Sequence, residues 1–382
     1  MVRKFVLMLV AVSFLFAVPA FAAEPIRIGQ IATVTGEGAP YGVAEMLAVR
    51  MAVDEINAAG GILGRPVELI MYDNRSNHED MINSARRLLE HDNVVAVIGP
   101  SFSGLNIAAA PFFHRAQVPH IATLSTNPLV TVDEDGNTRP FNFRICFLDP
   151  YQGHVLAYFA YHHLGRRRAA LLTDVASDYS QGLSEYFEKS FTSFGGEIVV
   201  HEFCRSTDVD FRAQLTNIGN SDKDIVVFTF LGTPLPLAVR QARELGIEEY
   251  IIGGDGFGEF MWGVAGDTLR NTFWVSHVDR WDPNLVEFFE RFEYVTGTEA
   301  LEFMNVMLAY DSMLWLKDAI ERAGSTDPIA IRDALAATTD LQLTHTVLTM
   351  DHQHNPKDKD AVMLRACTEL QRTVYHVRIS PQ

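Results

Sequence analysis

Cysteine is scarce in this chain: three residues among 382, at positions 146, 204 and 367, far apart and without the spacing of a metal site. An odd count permits at most one internal bridge, so three buried free thiols and a single bridge from Cys204 to Cys367 both stand open. Positive charge is scarce too. Lys and Arg number 31 against 48 Asp and Glu, a net charge of −17 that excludes nucleic acid as a partner. After residue 22 there is no apolar run long enough to cross a bilayer. Signatures of catalysis and cofactor binding are missing as well. Gly99-Pro100-Ser101-Phe102-Ser103 ends in serine where a nucleophile elbow, G-x-S-x-G, needs glycine. GEGAPYG, from Gly36 to Gly42, is spaced G-x-G-x-x-x-G, one residue longer than a dinucleotide fingerprint. His352 and His354 sit in a turn rich in Pro and Asp with no third ligand at a suitable spacing, so they read as solvated surface; no metal and no cofactor is expected. His162 and His163, before Arg166 to Arg168, read as a helix C-terminus.

What is present begins with a leader. Residues 1–22, MVRKFVLMLVAVSFLFAVPAFA, have a basic start at Arg3 and Lys4, a short apolar stretch, and small residues at Ala20 and Ala22, the pattern of a cleaved signal peptide. The expected product is exported and soluble, and it is too long for a single growing core, which implies two lobes. Short runs rich in Val and Ile recur: IRIGQIA (26–32), PVELIMYD (66–73), VVAVIGP (94–100), VPHIATL (118–124), RAALLTD (168–174), EIVVHEF (197–203), DIVVFTF (224–230) and YIIGGDG (250–256). Amphipathic segments lie between them. Met46, Val49, Val53 and Ile56 make a helical stripe that Gly60 and Gly61 end. This βαβα order predicts an α/β fold of two doubly wound parallel-sheet lobes. A polar, turn-rich stretch at 132–153, the run TFWVSHV (272–278), after which the chain turns helical, and the turn at 349–360 predict three crossings between lobes, hence a three-segment hinge. The expected division is 24–143 plus 277–350 for the N-terminal lobe and 144–276 plus 351–382 for the C-terminal lobe.

In open parallel sheets ligands sit beyond the carboxyl ends of the strands. The polar residues that follow the runs there are Ser101 and Ser103, Ser125 and Thr126 in the first lobe, with Tyr179, Leu231, Gly232 and Asp255 in the second. Ser103 opens the helix SGLNIAAAPFFHRA, whose first turn offers N–H groups and a positive dipole end to an anion; as a plain N-cap it needs no ligand, and the two roles are compatible. Thr126 reads equally as a turn hydroxyl before Pro128. Asp255, in GGDGFG, is either a turn aspartate or a lone acid for a cation. Two opposite charges about 4 Å apart are worth some 4 kcal/mol at an effective dielectric near 20, so one buried aspartate can select an ammonium. A secreted hydrolase using Ser101 is the alternative from another class.

Several segments together resemble a known family. IRIGQIATVTGEGAPYG, AVDEINAAGGILGRPVELIMYDNRSN, VVAVIGPSFSG, FRICFLDPYQG, VRQARELGI and LAYDSMLWLKDAIERAGSTDPIAIRDAL are similar to type I periplasmic binding proteins of the leucine/isoleucine/valine-binding group, over residues 26 to about 335. The resemblance implies a hinge-closing periplasmic receptor, a monomer, that delivers a free amino acid to the membrane subunits of an ABC permease, without catalysis. It places the carboxylate contacts on Ser103 and Thr126, with Leu124 and Ser125 close by, the ammonium-binding acid on Asp255, and the cleft tyrosines on Tyr41 and Tyr179. The chain departs from the pattern at Leu231, where an aromatic residue is common, at Asp255, where glutamate is common, and at Ser76 and Phe102, which take the places of a disulfide found in some members. Phe102, Leu231 and Phe257 then form an apolar wall that favours an aliphatic or aromatic amino acid. An aromatic carboxylate or an amide, or a role as the ligand-sensing part of a receptor, are the alternatives within the same fold.

Overall fold

The computed structural model describes residues 24–205, 207–370 and 372–380; the proposed leader, 1–22, lies outside them. The first sheet holds β1 (Ile26–Ala32), β2 (Val67–Asp73), β3 (Ala96–Ile98), β4 (His120–Ala122) and β5 (Asn142–Arg144), all parallel, in the order β2-β1-β3-β4-β5. Helices α1 (Ala39–Ala58), α2 (His78–Glu90) and α3 (Ser103–Ala116) connect its first four strands. The second sheet holds β6 (Arg168–Asp174), β7 (Glu197–Cys204), β8 (Ile225–Phe228), β9 (Tyr250–Gly253) and β10 (Thr272–Ser276), with α4 (Asp149–Tyr158), α5 (Asp178–Ser193), α6 (Arg212–Asn220), α7 (Leu235–Glu244) and the short α8 (Trp262–Ala265). The chain then returns to the first lobe as α9 (Val286–Thr296), α10 (Phe303–Ala323) and α11 (Pro328–Ala336), with α10 packed along α1. A ribbon of β11 (Leu341–Gln342) and β12 (Val347–Leu348) follows, and β13 (Ala361–Cys367) and β14 (Arg372–Ile379) finish the second sheet as an antiparallel edge on β10. The second sheet is therefore mixed.

The first five strands of each sheet share one order, so each lobe has a switch point, between β1 and β3 and between β6 and β8. The crevice that ligands use in such sheets opens there. Local chemistry accounts for the elements that frame it. β8 is buried on both faces, as helices on both sides of a sheet require. On α2, Met81, Ala85 and Leu88 face inward, Asn77 accepts the Asp80 N–H at 2.9 Å as N-cap, and Glu79 and Asp80 sit in the first turn where the helix dipole favours acid. Val49, Val53 and Ile56 are buried on α1, and Met46 only partly. Gly99, with φ of 80°, brings the loop after β3 so close to β1 that a β-carbon would stand 2.6 Å from the Ile31 oxygen.

One reading of the sequence needs correction. His354 is not solvated surface. It is buried, its ring stacks on Phe143 at 4.1 Å, and its Nδ1 pairs with the Asn142 oxygen at 3.0 Å, because the third crossing segment packs against β5. The same segments are joined by Lys359, which donates to the Ile145 oxygen at 2.8 Å, and by the Arg144 N–H, which donates to the His354 oxygen at 3.3 Å. Cys146, Cys204 and Cys367 are all free and buried.

Candidate functional site

The carboxyl ends of the two sheets face one another across a nearly filled cavity of about 20 Å³, room for about one water molecule. The first lobe lines it with Tyr41 from the first turn of α1, Ser101 and Phe102 from the β3–α3 loop, and Leu124 from the loop after β4. The second lobe supplies Tyr179 from the first turn of α5, Leu231 after β8, and Asp255 and Gly256 after β9. The lobes are shut on each other. The Tyr41 hydroxyl donates to the Gly256 oxygen at 2.6 Å and accepts the Gly232 N–H at 2.9 Å. The Thr233 N–H donates to the Glu37 oxygen at 3.2 Å, and Asn127 Nδ2 to the Asp178 oxygen at 2.8 Å. The rings of Phe102 and Phe260 each meet Tyr41 edge-on, at 5.9 and 5.5 Å.

One end of the cavity is acidic. Asp255 is 3% exposed, and its Oδ2 lies 3.1 Å from His277 Nε2. Burial pushes the His277 imidazole down to about 4, so the ring, stacked on Phe147 at 3.6 Å, is neutral: it donates a hydrogen bond and brings no positive charge. Nearby stands a second acid that the sequence reading did not single out. Asp149, in the first turn of α4, is fully buried and neither carboxyl oxygen has a hydrogen-bond partner. Burial raises it to about 8 and the Asp255 charge adds to the rise; the Arg144 charge opposes it, as does the Thr126 hydroxyl, which lies close to the carboxyl but short of hydrogen-bond geometry. Between the acids the Tyr179 hydroxyl donates to Gln152 Oε1 and accepts the Gly256 N–H, each at 3.3 Å. Thr126 Oγ1 and Gln152 Nε2 have no partner either. A β-carbon on Gly254 would fall 2.2 Å from the Tyr179 hydroxyl and 2.4 Å from Gln152 Oε1, so only glycine admits this cluster. Each unmet buried polar group costs about 1–3 kcal/mol; a cation with several N–H donors would satisfy the Asp149 and Thr126 oxygens, while the Gln152 Nε2 donor needs an acceptor.

The rest of the wall differs in kind. Ser101 Oγ donates to Glu45 and accepts from Asn305 Nδ2 at 2.8 Å, while the Thr123 hydroxyl also donates to Glu45. Burial lifts Glu45 to about 7 and the hydroxyl donors draw it back. Ser101 thus lines the cavity and is pinned from behind by α1 and α10. Ser103 is the first residue of α3, with Phe102 as N-cap; no side chain caps the helix, and Ser103 Oγ accepts the Asn127 N–H at 3.3 Å. The uncapped first turn leaves N–H groups free for an anion.

Of the residues expected from sequence, Tyr41, Phe102, Leu124, Tyr179, Leu231 and Asp255 come together on the cavity. Ser103, Ser125 and Thr126 are buried just behind it. Ser125 holds its loop, bonding Asn106 Nδ2 at 2.5 Å, while Arg144 donates to the Ser125 and Asn127 oxygens at 2.6 and 2.7 Å. Phe257 does not belong to the wall: glycine at 253 lets its ring fold back into the lobe core, stacked on Trp274 at 6.0 Å. Asp149 stood inside FRICFLDPYQG, where an aspartate before proline reads as a helix start; its signal was an acid next to an apolar run. Glu45 falls on the buried face of α1, between Tyr41 and Val49, and that position in the stripe marked it.

Comparison with known proteins places these features in context. A family model for periplasmic binding proteins matches residues 25–366. The chain is 27% identical over 328 residues, 85% of either chain, to the leucine-, isoleucine-, valine-, threonine- and alanine-binding protein of Pseudomonas aeruginosa. Its fold matches a leucine-binding protein, LivK, of Thermotoga maritima with a TM-score of 0.85 and 32% identity, covering 93% of this chain and 99% of that one. It also matches the branched-chain amino acid transporter substrate-binding protein LivJ of Streptococcus pneumoniae, solved in complex with isoleucine, with a TM-score of 0.84 and 30% identity, covering 94% and 100%.

Proposed function

This chain belongs to the periplasmic binding protein family, a family of solute receptors rather than enzymes, and on that premise we propose that it captures a free amino acid with an apolar side chain and presents it to an ABC permease. The observation that carries the reading is Asp255, the one acid among the groups that line the cavity, with a second buried acid, Asp149, close enough behind it to feel its charge. An α-ammonium between them, with Tyr179 and Thr126 as neighbours, meets their unused hydrogen-bonding capacity. The α-carboxylate turns to the uncapped start of α3, where Ser101 and Ser103 lie, and the side chain rests on Phe102, Leu124 and Leu231. The relatives that bind leucine, isoleucine and valine support the same ligand class.

Closure follows from how the site is divided. The anion-holding end belongs to the first lobe and Asp255, Asp149 and Tyr179 to the second, so neither lobe alone satisfies both ends of a zwitterion. The ligand therefore favours the shut form by its differential contacts, and Tyr41 adds hydrogen bonds that exist only when shut. No described helix is long and apolar enough to cross a membrane, which suits a receptor working in the periplasm.

The test is a thermal-shift panel of the twenty L-amino acids with benzoate and an amide as comparators, on protein stripped of carried-over ligand. A ligand at a hundred times its Kd adds about 2.7 kcal/mol. Leucine, isoleucine or valine leading the panel agrees with the reading; benzoate or the amide leading it overturns the ammonium assignment.

A further inference from the structure

One group in the joint between the lobes has no part in holding the amino acid. Glu302, the N-cap residue of α10, is carried by the first lobe and is 3% exposed. It lies over the second-lobe loop that follows Asp255. Its Oε1 accepts the Phe260 N–H at 3.4 Å, and a β-carbon on Gly258 would stand 2.4 Å from Oε1 and 2.5 Å from Oε2. Oε2 has no hydrogen-bond partner. Next to it the Glu259 N–H donates to the Leu301 oxygen at 3.2 Å, so the backbone is part of the same joint.

The charges around Glu302 do not compensate it. From the second lobe it meets Glu259, whose Oε1 accepts from the Thr373 N–H and hydroxyl at 3.1 and 2.8 Å. Arg280 lies 3.7 Å from Glu259 and is committed to Glu293 at 2.5 Å and the Ala300 oxygen at 3.2 Å. From α1 it meets only the Tyr41 phenol. Among the described residues no cation lies within ion-pair distance of Glu302.

We propose that Glu302 is a proton-dependent clasp: the lobes shut with its carboxyl neutral against Gly258, and closure takes up a proton that the open form lacks. This rests on the reading of the protein as a receptor that shuts around a solute. The physical reason is the cost of burying a carboxylate with no cation and a second acid beside it. Burial, with the Glu259 charge adding to it, holds Glu302 well above the usual carboxylate range. In the open form the carboxyl meets water and returns toward the ordinary value of about 4.3. The sign follows: a pKa raised in the closed form stabilises closure fully below the open-form value, and that contribution is lost as pH rises toward the closed-form value. Between the two values each pH unit lowers the closing equilibrium about tenfold.

The experiment compares wild type with Glu302→Gln, a neutral residue of the same shape, from pH 5 to 8. Small-angle scattering of the unliganded proteins reads lobe opening, and calorimetric titration with L-leucine in buffers of different ionisation enthalpy counts protons. Asp149 and Glu45 titrate in both proteins and cancel in the comparison. Wild type is expected to open more with rising pH than the variant, to lose affinity relative to it by up to tenfold per pH unit, and to take up more protons per L-leucine than the variant does. Parallel pH profiles and equal proton counts overturn the clasp. If Glu302→Gln does not fold, Gly258→Ala, which pushes the carboxyl from its seat from the opposite lobe, is expected to flatten the pH response in the same way; an unaltered response overturns the clasp. Failure of the solute reading looks different: L-leucine and the other amino acids then leave the scattering unchanged at every pH, while the unliganded comparison still decides the clasp.

Discussion

Replacing Asp255 by asparagine keeps the shape of the side chain and an oxygen for His277 but removes the charge that the ammonium is proposed to meet. Two unit charges about 4 Å apart interact by some 4 kcal/mol at an effective dielectric near 20. At 1.4 kcal/mol per decade that is a loss of roughly a thousandfold in Kd. Asp149 limits the loss. It is buried nearby, is raised to about 8 by burial with the Asp255 charge adding to the rise, and ionises more readily once that charge is gone. The expected loss is therefore about 100- to 1,000-fold, measured by calorimetry with whichever amino acid leads the panel. Two controls separate charge from shape. The corresponding 2-hydroxy acid, which lacks the ammonium, should bind wild type weakly and the variant no worse. The empty variant should be at least as heat-stable as wild type, because an uncompensated buried charge has gone. An Asp255→Asn protein that keeps its affinity within threefold, or a wild type that binds the hydroxy acid as tightly as the amino acid, refutes the reasoning.

Two further outcomes test the frame around the site. Tyr41→Phe removes two interlobe hydrogen bonds, at 2.6 and 2.9 Å; at about 0.5–1.5 kcal/mol each, ligand release in stopped flow should speed up by roughly 5- to 150-fold, and an unchanged rate would show that these bonds do not hold the lobes shut. Glu45 is lifted from 4.5 to about 7 by burial, so its neutral form favours the fold and that contribution is lost as pH rises through 7. Glu45→Gln should accordingly stabilise the protein at pH 8 by up to about 3 kcal/mol in urea titration, with little gain at pH 5; equal effects at both pH values would count against it.

The alternation of short Val- and Ile-rich runs with amphipathic stripes was enough to place most strands and to predict two α/β lobes, because each run must be covered by helices on both faces. Asp255 was legible for a comparable reason: an acid bounded by glycines at the end of an apolar strand has few neighbours of its own to satisfy it. Asp149 was less legible. An aspartate before a proline at a helix start has an ordinary role, and only burial, with both oxygens unpartnered, removes that explanation. Phe257 shows the converse. Its place in the GGDGFG loop gave no direction, and the missing β-carbon of Gly253 turns the ring inward. His354 was misread because a polar turn is exposed only if nothing packs on it, and here Phe143 does.

Local pattern in the chain thus determined the elements, their order and a short set of residues at the strand ends, since periodicity, turn chemistry and helix starts act over a few residues. The tertiary structure alone decided which of those residues share a cavity, which acids lose their water and which groups meet only when the lobes close. Tyr41 and Gly256 are 215 residues apart, and no local preference can encode a hydrogen bond between them. It arises because two sheets of like topology, joined at three crossings, bring their switch points face to face, and burial there converts ordinary tyrosines and carboxylates into groups that need a ligand.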